Sequence, residues 1–252
     1  MKHEILVGDV LAGLRAMPDA SVQCVVTSPP YWGLRDYGVE GQIGLEPTPE
    51  EYVEKMVEVF REVKRVLRDD GTVWLNLGDS YASAWACGRR NVVGSGSLED
   101  GKRDARPNRL VNGLKEKDLV GIPWRVAFAL QADGWYLRSD IIWSKSACVP
   151  STAEDKPNPM PESVTDRPTK SHEYVFLLTK RARYFYDADA VREGSGIWRG
   201  TDFLPTSDKD RAGNGKTSAT GASFRNRTDA ARNGRNRRTV WEIATQPMPE
   251  AH

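Results

Sequence analysis

Short apolar runs alternate with helical patterns along much of this 252-residue chain. Five runs have the length and composition of strands: Glu4–Val7, Val22–Thr27, Thr72–Leu77, Trp135–Trp143 and Glu173–Thr179. Apolar residues at helical spacing predict three helices: Val10–Met17, one that begins after Thr48, and Pro123–Ala132. This alternation predicts an α/β fold, with a largely parallel sheet that carries helices on its faces.

The helix after Thr48 has the clearest predicted boundaries. Thr48 offers a capping hydroxyl, Pro49 fits the first helical position, and Glu51 completes a capping box. The pair Asp70-Gly71 predicts its end. Its apolar positions follow at helical spacing: Val53, Met56, Val57, Phe60, Val63 and Leu67.

Polar stretches follow three of the predicted strands. They are Gly8-Asp9, Thr27–Trp32 and Asn76–Asp79. Ligands of parallel sheets bind at the carboxyl ends of the strands. We therefore expect these stretches to share one cleft.

The stretch Thr27–Trp32 carries the most specific chemistry. Two prolines fix the backbone, so the Ser28 hydroxyl and the Pro29 carbonyl can stand side by side as acceptors. An exocyclic amine of a nucleobase has two N–H donors that match them. Tyr31 offers a ring on which such a base can stack, once the base has been flipped out of the duplex. A plain alternative is equally open, since Pro-Pro is also a rigid strand exit and Tyr-Trp a common core lid.

Composition narrows the class of protein. The chain has 39% hydrophobic and 28% charged residues and a net charge of +1, as in ordinary globular proteins. No apolar run has the length of a membrane span, and the N-terminus does not resemble a signal peptide. Three scattered cysteines predict no metal site and no disulfide framework, and they fit a bacterial or phage-infected cytoplasm.

Charge and loop composition divide the chain into three expected segments. Residues 192–238 hold 11 Lys/Arg against 5 Asp/Glu and are rich in Gly and Asn. We expect a catalytic core over 1–186 with a loop insertion at 82–117, then a basic segment over 187–238. Residues 239–252 are expected to return to the core. The basic segment is either a target-recognition region or simply a solvated polar loop.

Six blocks together resemble the DNA amino-methyltransferases of bacteria and phages. In chain order they are TSPPYWGLRDYG, EPTPEEYV, TVWLNLGDSYA, GWYLRSDIIWSK, RPTKSHEYVFLLTK and VWEIATQPMPEAH. Their order is similar to that of the β class. The resemblance implies a Rossmann-like methyltransferase sheet, mostly parallel with an antiparallel strand pair. It also implies S-adenosylmethionine as cofactor and double-stranded DNA as partner.

The same resemblance assigns roles to individual residues. Ser28, Pro29, Pro30 and Tyr31 correspond to the catalytic tetrapeptide, and serine at its first position goes mostly with cytosine-N4 enzymes. Adenine N6 is the alternative target. Asp9, Thr27 and His252 are implied to bind the cofactor, although Asp9 also fits a helix cap. Ser28 is too weak a base to deprotonate the amine first, so the proton should leave after methyl transfer.

DNA contacts are expected beside the motif and in the basic segment. Trp32 and Arg35 follow the tetrapeptide, and Trp32 fits the core equally well. His172-Glu173 has no partner nucleophile, and we interpret it as structural. Lys145 fits a solvated strand end better than a phosphate contact. The arginines expected to contact phosphates are Arg225, Arg227, Arg235, Arg237 and Arg238.

One family motif is missing from these residues. The β class continues past the VWEI block into a glycine-rich cofactor turn, and neither Gly94–Gly96 nor Gly194–Gly196 follows a strand. Three hypotheses follow: a fragment of a longer enzyme with an incomplete sheet, a split enzyme whose second polypeptide carries the glycine motif, or a non-catalytic DNA-binding protein. We do not expect a protein-glutamine methyltransferase, because only 27 residues precede Ser28.

Overall fold

The computed structural model describes residues 3–82, 113–145, 164–193 and 235–243. The chain divides into two compact units, Tyr186–Arg238 and the remainder. The elements of the larger unit, in order, are α1 (Val10–Ala16), β1 (Val22–Thr27), α2 (Pro49–Val66), β2 (Leu67–Leu77), α3 (Ile122–Ala132), β3 (Tyr136–Ser144), β4 (His172–Thr179) and β5 (Val240–Glu242).

The five strands form one mixed sheet in the order β1-β2-β4-β3-β5. β1 pairs parallel with β2, and β3 pairs parallel with β5, whereas β4 runs antiparallel to both of its neighbours. Four described strands therefore point in one direction and β4 in the other. This arrangement confirms the expected mostly parallel sheet with an antiparallel element. It also brings the start of β4 to the same edge as the ends of β1, β2 and β3.

Of the described helices, α2 has the most buried side chains. Its N-terminus confirms the predicted cap, because Thr48 Oγ1 accepts a hydrogen bond from the Glu51 amide at 3.2 Å. Its inner side contributes Tyr52, Met56, Phe60 and further apolar side chains to the core. α1 and α3 both contact it. Burial of this apolar face, rather than helix propensity, stabilises the helix.

The predicted helix end at Asp70-Gly71 is wrong. α2 ends at Val66 and β2 already begins at Leu67. Gly71 lies inside the strand, where an added Cβ would stand 2.8 Å from the Gln23 carbonyl of β1. The glycine therefore allows β1 and β2 to approach each other and does not terminate the helix.

The strand predicted at Glu4–Val7 is also wrong. Residues 3–7 have no regular structure, and the side chains of Ile5, Leu6 and Val7 are 69–96% exposed. An apolar run becomes a strand only where another strand pairs with it. In the described part of the chain no strand pairs with this segment.

Asp79 joins the end of β2 to the start of α3. Gly121, the N-cap residue of α3, has no side chain to offer. Asp79 Oδ1 instead accepts from the amides of Gly121 at 3.0 Å and Ile122 at 3.1 Å, and from its neighbour Ser80 at 2.9 Å. The side chain of Asp79 is 2% exposed. This geometry gives Asp79 a capping role at the start of α3.

The smaller unit, Tyr186–Arg238, is described at residues 186–193 and 235–238. An antiparallel bridge links Glu193 to Arg235. The Glu193 carboxylate lies 3.0 Å from Nε of both Arg235 and Arg238. Its pKa is below the usual range, chiefly because it accepts the backbone N–H of Arg238, with the two guanidinium groups adding to the effect.

Replacement of Asp79 tests the distant cap. We expect Asp79→Ala to lower the free energy of unfolding by about 2 kcal/mol, because three amides lose their acceptor in a buried place. Asp79→Asn keeps an acceptor oxygen and should cost less. Asp9→Ala is the matched control, because Asp9 caps the exposed start of α1 through the Ala12 amide and should cost about 0.5–1 kcal/mol. Urea denaturation measures all three. If Asp79→Ala and Asp9→Ala lowered the free energy of unfolding equally, the buried capping role of Asp79 would be contradicted.

Candidate active site

The Ser28–Tyr31 motif follows β1 directly and lies at the edge where β1, β2 and β3 end. Ser28 is exposed, and Pro29 and Pro30 are half-buried. The Pro30 carbonyl accepts a hydrogen bond from the Tyr52 hydroxyl of α2 at 2.9 Å. Among the described residues no donor takes the Pro29 carbonyl. The motif backbone is therefore held by Tyr52, and the Ser28 hydroxyl at its start is exposed.

Tyr31 turns its hydroxyl towards the sheet. This hydroxyl lies 2.8 Å from Oδ1 of Asn76 and 2.9 Å from Oε2 of Glu173, and it donates its single hydrogen to one of them at a time. The ring packs against the backbone of Gly78, where an added Cβ would stand 2.7 Å from ring atom Cδ2. Gly78 is thus required by close approach at the end of β2. Burial and the nearby Glu173 charge raise the pKa of Tyr31, so the phenol keeps its proton.

Asn76, on β2, organises the cluster. Its Oδ1 accepts from Tyr31 and, at 3.1 Å, from Ser28 Oγ. Its Nδ2 donates to Glu173 Oε2 and to the Tyr174 carbonyl, both at 3.1 Å. All four hydrogen-bonding positions of the amide have a partner within reach, which fixes its orientation.

Glu173 is the charged centre of the cluster. Its side chain is 15% exposed, and Lys145, which follows β3, forms an ion pair with Oε1. Burial alone would raise the pKa of this carboxyl group. The Lys145 ammonium outweighs that effect, together with the Tyr31 and Asn76 donors, and holds the pKa below its usual range. Glu173 is therefore anionic at neutral pH.

Two members of this cluster, Lys145 and Glu173, were not predicted as site residues, whereas Asn76 lies in one of the stretches expected to share the cleft. The interpretation of Lys145 as a solvated strand end is wrong, because its half-buried ammonium pairs with the Glu173 carboxylate. Glu173 contacts the Tyr31 hydroxyl, and its interpretation as a structural residue stays a prediction. Their placement depends on the reversed direction of β4, which periodicity does not report. The available signal was polar residues at the ends of apolar strands, in TVWLNL and HEYVFLL.

The other predicted residues fall in different places. Trp32 is 1% exposed and donates from Nε1 to the Glu46 carbonyl at 2.9 Å, so its expected DNA contact is wrong and the core alternative holds. Arg35 is exposed on the loop that follows. Asp9 caps α1, and Thr27 ends β1. Arg225, Arg227 and His252 lie outside the described residues.

A metal-binding group and a membrane-spanning helix were both searched for among the described residues. There, no group of three or more His, Cys, Asp or Glu side chains could hold a metal ion. In the same part of the chain, no helix combines the length and the apolar character needed to cross a bilayer.

Gly78→Ala tests the packing of Tyr31. The added methyl group would overlap the ring, so we expect the free energy of unfolding to fall by about 1–3 kcal/mol. Gly13→Ala, inside α1, is the matched control because a Cβ there meets nothing within 4 Å. The free energy of unfolding of Gly13→Ala should rise by about 0.5–1 kcal/mol. Chemical denaturation compares them, and a Gly78→Ala protein as stable as wild type would contradict the close approach.

The lowered pKa of Glu173 predicts an acid dependence of stability. Because the folded pKa lies below the unfolded value near 4.5, the ionised group stabilises the fold above that pH. This contribution is lost as the pH falls through the folded pKa. Urea midpoints measured from pH 6 down to pH 3 should therefore fall less steeply for Glu173→Gln than for wild type. Parallel curves would contradict the ionised, stabilised carboxylate.

Comparison with known proteins agrees with the resemblance in the motifs. A family model of the N6/N4 methyltransferase type, described as a DNA methylase, matches residues 22–251. The type II methyltransferase M.XycI of Xanthomonas campestris pv. cyanopsidis is 48% identical over 249 residues. M.Cfr9I of Citrobacter freundii, also a type II methyltransferase, is 46% identical over 245 residues. Each alignment covers 97% of this chain and 65% of the relative, so the chain spans less than two thirds of their length.

A solved structure of the PvuII DNA methyltransferase (cytosine-N4-specific) aligns over 73% of this chain and 52% of that chain. The identity is 17% and the TM-score 0.45. The sequence matches are far stronger, and the family model spans most of the chain. This protein therefore belongs to the N6/N4 family of DNA methyltransferases.

Proposed function

We propose that this chain carries the base-binding edge of a DNA methyltransferase that methylates N4 of cytosine. Family membership supports DNA amino-methylation as the reaction class. Serine rather than aspartate at the first motif position supports cytosine over adenine. The observation that carries the proposal is the exposed Ser28 hydroxyl at the end of β1, beside a fixed polar cluster.

The motif would hold the target amine by its two hydrogens. Ser28 Oγ and the Pro29 carbonyl each accept one of them, which aims the lone pair of the nitrogen outward. The bond from Tyr52 to the Pro30 carbonyl keeps these acceptors in place before the base arrives. Such acceptors need no rearrangement as the nitrogen becomes positive, so they favour the transition state.

S-adenosylmethionine, when bound, supplies the methyl group as an electrophilic carbon on a sulfonium. The described residues fit part of this cofactor: Asp9 presents an exposed carboxylate directly after Gly8, which suits ribose hydroxyls, and Thr27 adjoins the catalytic motif. We propose both, together with His252, as cofactor contacts. Asp9 Oδ1 already accepts from the Ala12 amide, so a cofactor contact would use the other oxygen of this exposed side chain.

The arginines supply the proposed DNA contacts. Arg35 is exposed beside the motif. Arg235 and Arg238 are held by Glu193 in the smaller unit, so a phosphate would have to compete with that carboxylate. We propose phosphate contacts for these three, for Arg237, and for Arg225 and Arg227.

Methyl transfer with a Ser28→Ala variant tests the function. The 252-residue chain is incubated with tritiated S-adenosylmethionine and unmethylated plasmid DNA, and the nucleosides are then separated. We expect label in N4-methylcytosine, and a loss of about 100-fold in Ser28→Ala because an acceptor of the amine is removed. Ser21→Ala is the matched control, because Ser21 is an exposed serine at the opposite end of β1.

Three other results of this experiment would each contradict a different part of the proposal. Label in N6-methyladenine would overturn the choice of cytosine. An unchanged rate in Ser28→Ala would remove the role of that hydroxyl. DNA binding without transfer in the wild type would favour a fragment, a split enzyme or a non-catalytic DNA-binding protein over a chain that is active alone.

A further inference from the structure

We propose that Glu173 is the terminal acceptor of the proton that the methylated amine must lose, and that Ser28 and Tyr31 carry the proton to it. This inference rests on the proposed function, because it concerns the same amine. It adds a step that the motif alone does not supply, namely the path by which the proton leaves the site.

The hydrogen bonds run in one direction from the motif to the carboxylate. Ser28 Oγ donates to the Tyr31 hydroxyl across 3.3 Å, and that hydroxyl donates to Glu173 Oε2 across 2.9 Å. Asn76 Oδ1 is a second acceptor for both hydroxyls. Each hydroxyl can therefore point along the path or away from it by rotating one bond. The longer first contact is of the kind that tightens when substrate binds.

The reaction creates the proton that this path would move. As the N–C bond forms and the C–S bond breaks, the amine nitrogen becomes positive and strongly acidic. Ser28 Oγ then takes one hydrogen from the nitrogen and gives its own to Tyr31, which gives its own to Glu173 Oε2. Both hydroxyls are neutral before and after the step. The base ends neutral and the carboxylate ends protonated.

Glu173 suits the end of such a path because its two oxygens have different partners. Oε1 is bound to Lys145, whereas Oε2 faces Tyr31 and Asn76. The low pKa of Glu173 keeps it ready to accept. Once Glu173 is protonated, the Lys145 ammonium has lost its counter-charge, which favours release of the proton to solvent and restores the site.

Removal of single links tests the path. Tyr31→Phe keeps the ring against Gly78 but removes the hydroxyl, and Glu173→Gln keeps an acceptor but removes the basic oxygen. We expect each to lower the single-turnover rate of methyl transfer about 100-fold, the size typical of a lost general base. The double variant should be no slower than either single one, because one broken link already interrupts the path. Tyr136→Phe, an exposed tyrosine at the other end of β3, is the matched control.

Two further readouts separate proton transfer from positioning. The fluorescence of 2-aminopurine at the target base should show the same extrusion in wild type and variants. The wild-type rate should fall in deuterated water, and this isotope effect should change in Tyr31→Phe. Full activity in both variants, independent multiplicative losses in the double variant, or lost extrusion would each overturn the path while leaving the proposed function intact. A wild-type protein without any transfer would overturn both.

Discussion

A carboxylate held away from water needs hydrogen-bond donors around it. Glu173 obtains them from residues that lie at the ends of three other strands. Tyr31 follows β1, Asn76 lies on β2 and Lys145 follows β3. An unpaired charge in this position would be costly, so the cluster stabilises the fold only when all of these strand ends meet. The same requirement places Ser28 beside Tyr31. Fold and candidate site therefore depend on one set of contacts.

The sequence predicted those parts of the molecule that depend on local pattern. β1 has the bounds that its apolar run predicts, and Thr48 caps α2 as the capping box indicates. The exposed position of Ser28 at a strand end follows from the same reading. The DNA methyltransferase family could also be recognised, because six ordered blocks are far more specific than any one of them.

The parts that were missed depend on contacts between residues distant in the chain. Glu173 joins the site because β4 runs antiparallel, which sets its first residues at the edge where β1, β2 and β3 end. Asp79 caps a helix that begins 43 residues later, so no local capping pattern reveals it. The run Glu4–Val7 has the composition of a strand but lacks a paired neighbour among the described strands. In each of these three places, strand pairing or a hydrogen bond to a distant residue decides the structure, and local propensity does not.

The motif is fixed by the protein interior at Tyr31 and open to solvent at Ser28. Its ring is fixed by Gly78 and its hydroxyl by Asn76 and Glu173, while the adjacent Ser28 is open to solvent. A base that enters from solvent would therefore meet acceptors whose positions are set from the interior of the protein. Flexible acceptors would have to be ordered at the moment of binding, at a cost in entropy. The prolines, Tyr52 and the buried cluster together order them during folding instead. This arrangement explains why a strand should end in two prolines and an aromatic residue.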